Sequence, residues 1–233
     1  MQREPPAPAE PSSPTAARYH SLLLGFVATM FVLSFTAVAS EVLEGDTHPI
    51  DVALARAAHA LRTGHPWLAD AMRDLSGLGS TVVLTLVVAL TAGYLLVVGL
   101  RTTAAMVAAA SLAGAFAVGA MKALFGRARP DDRLAEFIAS GLSFPSGHAT
   151  MSAAVYLTVG ALVAGTRASW RERLYILAAA AALAAATGLS RVALGVHWAS
   201  DVVAGWAFGA GWAALWLLVA QRLAARRTAP PSR

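Results

Sequence analysis

The sequence contains no cysteine and, among its eighteen basic residues, a single lysine, Lys122. Without thiols there are no disulfides, no thiolate nucleophile, no iron–sulfur cluster and no cysteine-ligated zinc, so any chemistry falls to His, Ser, Asp, Glu, Lys and Arg. Charge is scarce as well: Asp, Glu, Lys and Arg make up 13% of 233 residues, against 57% hydrophobic residues. With a mean hydropathy of +0.60, the composition lies far from soluble norms and reads as a membrane protein.

A membrane span needs about 20 predominantly apolar residues to cross about 30 Å of hydrocarbon with every backbone group satisfied inside the helix. Six runs free of Asp, Glu, Lys and Arg meet or approach this: Ser21–Ser40, Leu78–Leu100, Thr102–Met121, His148–Gly165, Leu174–Leu189 and Val202–Ala220. The fifth is nearly all small residues, a composition that suits close helix packing in lipid but also fits an alanine-rich helix with no special role. The expected fold is therefore all-α, a six-transmembrane-helix bundle. Residues 1–20 carry five prolines and are expected to form a disordered tail; 21–223 form the six-span domain and 224–233 a basic tail. Twenty apolar residues exceed a signal-peptide core, so the first span is expected to stay as an anchor despite the cleavage-like "AVA" at Ala37–Ala39.

The arginines choose the orientation. With a cytoplasmic N-terminus, the inner segments hold ten arginines against three glutamates, a net +7, and the outer segments eight basic and ten acidic residues, a net −2. The positive-inside rule favours this arrangement, with both termini cytoplasmic. The pI near 10.4 then follows from topology and anionic inner-leaflet lipid, and no nucleic-acid partner is needed. In the outer segment 41–77, Ile50, Leu54, Ala57, Ala58 and Leu61 recur at helical spacing, which predicts an amphipathic helix on the outer interface. His48, His59 and His65 in that segment match no familiar zinc spacing and read as solvated.

Three clusters fall on the outer face. Lys122, Arg127, Arg129 and Pro130 follow the third span; Pro145, Ser146, Gly147 and His148 open the fourth; "SRVALGVHWASD", Ser190 to Asp201, joins the fifth to the sixth. A lone basic residue at a membrane boundary is ordinarily snorkelling. Here Lys122, Arg129 and Arg191 share a face with two histidines and an aspartate, a set suited to phosphate: arginine forks bind its oxygens bidentately and lysine adds a compact point charge. Ser146 and Gly147 at a helix start leave backbone amides free for an anion. His197 and Asp201, four apart, lie on one helical face, so the carboxylate can hold the far nitrogen of a nucleophilic imidazole.

Lys122-x6-Arg129-Pro130, Pro145-Ser146-Gly147-His148 and Ser190-Arg191-x5-His197-x3-Asp201 together resemble the three-part signature of the type 2 phosphatidic acid phosphatases, or lipid phosphate phosphatases. All eleven specified positions match in order and spacing. The resemblance covers roughly residues 78 to 220. It implies that Lys122, Arg129, Arg191, Ser146 and Gly147 bind phosphate, that His197 attacks phosphorus to give a phosphohistidine, that Asp201 orients it, and that His148 protonates the leaving oxygen. It further implies no metal and no cofactor, since the cations supply the electrostatic clamp. The outer-face site would lie in the inner membrane's periplasmic or extracellular leaflet. Soluble relatives such as the vanadate-dependent haloperoxidases share such a site, but six apolar spans argue against that reading. Undecaprenyl diphosphate is the expected substrate, with phosphatidate, phosphatidylglycerol phosphate or diacylglycerol diphosphate as alternatives. A lipid transporter or scaffold would need the cations but not His148, His197 and Asp201; a phosphotransferase would differ only in the acceptor.

Overall fold

The computed structural model describes residues 14–228, with side chains from 21 to 223; residues 1–13 and 229–233, which belong to the two expected tails, lie outside the described residues. Eight helices follow one another: α1 (Pro14–Glu44), α2 (His48–Gly64), α3 (Pro66–Gly77), α4 (Thr81–Val97), α5 (Arg101–Phe125), α6 (Gly147–Gly165), α7 (Trp170–Ala193) and α8 (Ala199–Thr228). No strand occurs among the described residues. Six stretches are long and apolar enough to cross a membrane: Ser21–Glu44, Pro66–Val97, Arg101–Phe125, Gly147–Gly165, Trp170–Ala193 and Ala199–Leu223.

Several boundaries differ from the sequence expectation, each for a local reason. Helix α1 starts at Pro14, so the last seven residues assigned to the N-terminal tail are helical; proline is well suited to a first helical position. Likewise α8 continues to Thr228 through Ala and Arg, both good helix formers, into the segment assigned to the basic tail. The second crossing stretch begins at Pro66, because α3 runs into α4 with only the turn 78–80 between them. Ser80 caps α4 by accepting from the Val83 amide at 3.3 Å, and the Tyr156 hydroxyl donates to the turn carbonyl of Leu78 at 2.6 Å.

Small residues fill the interior, and large apolar ones face outward. Buried positions on α6, α7 and α8 include Ala149, Ala153, Ala154, Ala180, Ala184, Ala204, Ala207, Ala210 and Ala213, whereas Leu86, Leu90, Leu112, Phe116 and Leu189 are exposed. In lipid there is no hydrophobic drive to bury leucine, and association depends on close backbone approach. Helix α6 packs between α7 and α8, α1 lies along α8, and α4 and α5 flank α6. The alanine-rich α7 uses one stripe for this purpose, Ala180, Ala184, Thr187, Gly188 and Arg191; a Cβ at Gly160 of α6 would lie 2.8 Å from that of Ala180. Ala178, Ala179, Ala181 and Ala182 of the same helix are exposed.

Helix α2 forms within segment 41–77, as the helical spacing predicts, and its apolar stripe faces away from the protein. Asp51, Ala55 and Arg62 are its buried residues, while Ile50, Leu54 and Leu61 point away. Arg62 explains this: it donates to the carbonyls of Ala193 and Leu134 and pairs with Glu136 at 3.6 Å, so fixed polar partners decide which face turns inward. Helices α5 and α7 end, and α6 and α8 begin, at the same end of the bundle as α2.

The α6–α8 contact depends on Gly209, where a Cβ would overlap the Thr150 carbonyl oxygen and lie 2.9 Å from Ala153 Cβ. Gly209→Ala is expected to cost about 1–3 kcal/mol through overpacking, read as a lowered thermal midpoint in detergent. Gly93→Ala on α4, where nothing lies within 4 Å, should not lower the midpoint, since alanine is the better helix former.

Candidate active site

Alternation of helix direction brings the last turn of α5, the first turn of α6, the end of α7 and the start of α8 together. Lys122 sits in the last turn of α5, which stops at Gly126, whose φ of 59° is left-handed. The 126–146 loop then folds back over the bundle end, anchored by Phe144, which is fully buried against Phe125 at 4.7 Å and Phe35 at 5.9 Å between ring centroids. On the far side, α7 and α8 are joined by a turn through Gly195 at φ +70°, where a side chain would overlap the Leu134 carbonyl. Only glycine combines that backbone with that approach, and the turn delivers His197 to the interior.

These elements enclose a cavity of about 370 Å³, lined by Lys122, Arg129, Gly147, His148, Arg191 and His197 on its polar side. Phe137, Ile138, Ala139 and Ser140 of the 126–146 loop complete the wall. Each cation is held differently. Lys122 Nζ donates to the carbonyls of Leu142 at 2.6 Å and Ser143 at 3.2 Å, which leaves its third donor free for another acceptor. Arg129 spans the cavity edge, donating from Nε to Gly141 O at 2.9 Å, from Nη1 to Val196 O at 2.6 Å and from Nη2 to Ser140 O at 3.1 Å. Among the described residues Arg191 has one side-chain hydrogen-bond partner, the Ser76 hydroxyl at 2.6 Å, and its buried Nε has none; the guanidinium packs 5.7 Å over the Phe137 ring.

His197 is buried, with its two nitrogens in contrasting surroundings. Nδ1 lies 3.3 Å from Asp201 Oδ2 and 3.3 Å from Ser143 Oγ, and Ser143 Oγ itself donates to Asp201 Oδ2 at 2.5 Å. Nε2 lies 3.1 Å from Arg129 Nη1, a group that can only donate. The proton therefore belongs on Nδ1, and the Nε2 lone pair faces the cavity side. Burial pushes the His197 pKa down to about 4; Asp201 opposes this through its hydrogen bond and charge, and Arg129 and Lys122 add to the lowering.

Asp201 is fully buried and accepts at Oδ2 from the Trp198 amide at 2.9 Å and at Oδ1 from Arg127 Nη1 at 2.6 Å. Its main-chain carbonyl accepts from the Ser146 amide at 3.0 Å, which joins the start of α8 to the start of α6. Ser146 is the N-cap of α6 without a side-chain cap bond, and its buried Oγ has no partner. Gly147 and His148, next in line, reach the cavity wall.

All eight residues singled out from the sequence converge on this end: Lys122, Arg129, Gly147, His148, Arg191 and His197 on the cavity, with Ser146 and Asp201 directly behind it. Sequence reasoning missed Ser143, Ser76, Asp51 and the part played by Arg127. Arg127 was visible as a second arginine two positions before Arg129; Asp51 carried no signal, because its partners lie far along the chain. His48 stands edge-on to Trp198 at 5.7 Å, and among the described residues the histidines of α2 join no cluster of potential metal ligands.

The depressed His197 pKa has a linkage consequence. Between about pH 6.5 and 4 the unfolded imidazole binds a proton that the folded one refuses, so stability is fully present above that window and falls as pH falls through it. A loss of about 3 kcal/mol is the expected order of magnitude. Thermal midpoints in detergent should drop from pH 7 to 4.5, and His197→Gln should reduce that drop.

Residues 82–225 match the PAP2 superfamily. Phosphatidylglycerophosphatase B of Bacillus subtilis is 30% identical over 194 residues, covering 76% of this chain and 86% of that protein. Lipid A 1-phosphatase of Porphyromonas gingivalis is 40% identical over 92 residues, 40% of this chain but 18% of that protein. The crystal structure described as the first transmembrane PAP2 type phosphatidylglycerolphosphate phosphatase, from Bacillus subtilis, superposes with a TM-score of 0.73 at 24% identity, covering 89% of this chain and all of that one. With a family match across most of its helical bundle and six apolar helices, the chain belongs to the PAP2 superfamily as a multi-pass integral membrane protein.

Proposed function

We propose that the protein is a membrane phosphatase that hydrolyses lipid phosphates or diphosphates through a phosphohistidine at His197. The observation that carries this reading is the His197 ring itself: Nδ1 is held toward Asp201 while Nε2 faces a cavity lined by Lys122, Arg129 and Arg191. Nε2 attacks phosphorus and forms the N–P bond as the P–O bond to the lipid breaks. His148, on the same wall, gives its proton to the departing oxygen and then takes one from the water that splits the N–P bond. Asp201 holds the Nδ1 proton and offsets the positive charge of the phosphorylated ring. A nucleophile with a pKa near 4 keeps its lone pair throughout the neutral range.

The phosphoryl oxygens are met by Lys122, Arg129, Arg191, the Gly147 amide and Ser146. The unpartnered Ser146 Oγ and Arg191 Nε support that role, since buried polar atoms are ordinarily satisfied. Fixed cations placed where charge develops can supply the stabilisation that other phosphoryl-transfer enzymes take from magnesium. The reading therefore includes no metal or other cofactor. A transporter or scaffold has no use for a histidine held by a buried carboxylate, and the relatives named above are phosphatases.

For the substrate we infer undecaprenyl diphosphate, because a cavity of about 370 Å³ has room for a second phosphate beside the one at His197. Phosphatidylglycerol phosphate is the second reading, favoured by the name of the Bacillus subtilis relative. The site end is read as the outer face of the inner membrane, since Arg101, Arg167, Arg171 and Arg173 sit at the opposite end with the start of α1 and the end of α8.

Purified protein offered a panel of lipid phosphates and diphosphates should release phosphate in the presence of EDTA; loss of turnover restored by magnesium or zinc would overturn the metal-free mechanism. His197→Ala is expected to abolish acid-labile phosphoenzyme with every substrate. His148→Ala should lose about 10²–10⁴-fold on an alkyl phosphate and much less on p-nitrophenyl phosphate, whose leaving group departs unprotonated. Equal losses on both substrates would reassign the proton donor. For orientation, cysteines placed at Ser140 and Ser169 of this thiol-free chain should label from opposite sides of the membrane, with Ser140 outside.

A further inference from the structure

Behind Asp201 lies a second buried carboxylate that none of the reactions above uses. Asp51, on α2, is 2% exposed. Arg127 bridges the two, with Nη1 2.6 Å from Asp201 Oδ1 and Nη2 2.8 Å from Asp51 Oδ2. Ser200 closes the group: its hydroxyl donates to Asp51 Oδ2 at 2.5 Å and accepts from Arg127 Nη1 at 2.7 Å, and its amide donates to Asp51 Oδ1 at 3.0 Å. Thr47 Oγ1 accepts from Arg127 Nη2 at 3.3 Å, and the guanidinium lies 5.7 Å over the Trp198 ring. Both carboxylates and both terminal nitrogens of Arg127 thus have partners inside the protein.

We infer that Asp51 and Arg127 are positioning residues for the phosphohistidine step, with Asp51 drawing Arg127's charge away from Asp201 so that Asp201 keeps its negative charge for the His197 ring. The argument is a charge balance. His197 faces Lys122 from α5, Arg129 from the loop, His148 from α6 and Arg191 from α7, and Asp201 is the one carboxylate against it. A guanidinium bound to Asp201 alone would neutralise that carboxylate and leave the phosphorylated imidazole among cations. Shared between two carboxylates, Arg127 fixes Asp201's orientation through a charge-assisted bond while the group as a whole stays negative. Because these charges are buried, the coupling is weakly screened.

This inference rests on the phosphohistidine reading, and the test separates the two. Full-length wild type, Asp51→Asn, Asp51→Glu, Arg127→Gln and the double variant Asp51→Asn/Arg127→Gln are purified in detergent beside His197→Ala, with thermal midpoint, kcat, KM and trapped phosphoenzyme measured. Asp51→Asn should lower kcat about 10–100-fold with KM within about twofold, since an interaction made in the transition state is lost while ground-state binding remains. Asp51→Glu should recover part of that loss by restoring the charge. The double variant should turn over faster than Asp51→Asn, because removing the guanidinium returns Asp201's full charge to His197. A kcat for folded Asp51→Asn within twofold of wild type, a change confined to KM, or additive losses in the double variant would overturn the inference. The double variant leaves Asp201 its bonds from Ser143 and the Trp198 amide and is measured whether or not a single variant folds; where Asp51→Asn does not fold, the double variant's kcat decides, within tenfold of wild type in favour and lower against. Absence of phosphoenzyme in wild type would instead remove the phosphohistidine reading itself.

Discussion

One fully buried carboxylate, Asp201, is the junction on which the rest of the site hangs. Its side chain takes hydrogen bonds from Arg127, Ser143 and the Trp198 amide and lies against His197, and its carbonyl takes the Ser146 amide. Those five partners come from the 126–146 loop, the start of α6 and the α7–α8 turn. A charge in a low-dielectric interior persists only with such a set of partners. Satisfying Asp201 is therefore what fixes the loop, the two helix starts and His197 relative to one another, and Arg127 carries the constraint outward to Asp51 and α2.

The opposite condition holds across the cavity. Lys122, Arg129 and Arg191 line one space, and among the described residues no carboxylate lines it with them. Concentrated like charge at the end of a membrane bundle opposes folding, and it is tolerated because backbone carbonyls absorb part of it: Leu142, Ser143, Ser140, Gly141 and Val196 all accept from Lys122 or Arg129. The same bonds preset the cations, so little reorganisation would accompany the anion binding proposed for this cavity. Arg191, with a single hydroxyl partner, retains the most donors for such an anion.

Below this end the bundle supplies rigidity through close approach rather than bulk. Gly160 against Ala180, Gly188 against the Trp206 ring and Gly209 against Thr150 bring α6, α7 and α8 into backbone contact. Trp198, Trp206 and Trp212 each donate an indole N–H to a main-chain carbonyl, of Ala128, Ala184 and Ala110 respectively. Directional bonds of this kind do in lipid what hydrophobic burial does in water. Side chains at the ends of helices packed this closely inherit their precision.

How much of this was legible in the sequence depends on the range of the physics involved. Six spans follow from apolar runs whose length is dictated by bilayer thickness, and each cluster of Lys122, Arg129, Ser146, Gly147, His148, Arg191, His197 and Asp201 is a local spacing; both could be read without coordinates. Helix ends were less legible, as at Pro14 and Thr228, because capping and propensity differ there by fractions of a kcal/mol. Helix α2 and its apolar stripe of Ile50, Leu54 and Leu61 were legible as periodicity, but that Asp51 and Arg62 would anchor its other side to the protein was not. Nor could the sequence connect Asp51 to Arg127, Ser143 to His197 or Ser76 to Arg191, pairs separated by 76, 54 and 115 positions. Residue type and spacing determine what chemistry a segment offers. Which groups satisfy one another in the dry end of the bundle is decided only when the helices pack, because the cost of an unpaired buried charge is a property of the assembled interior.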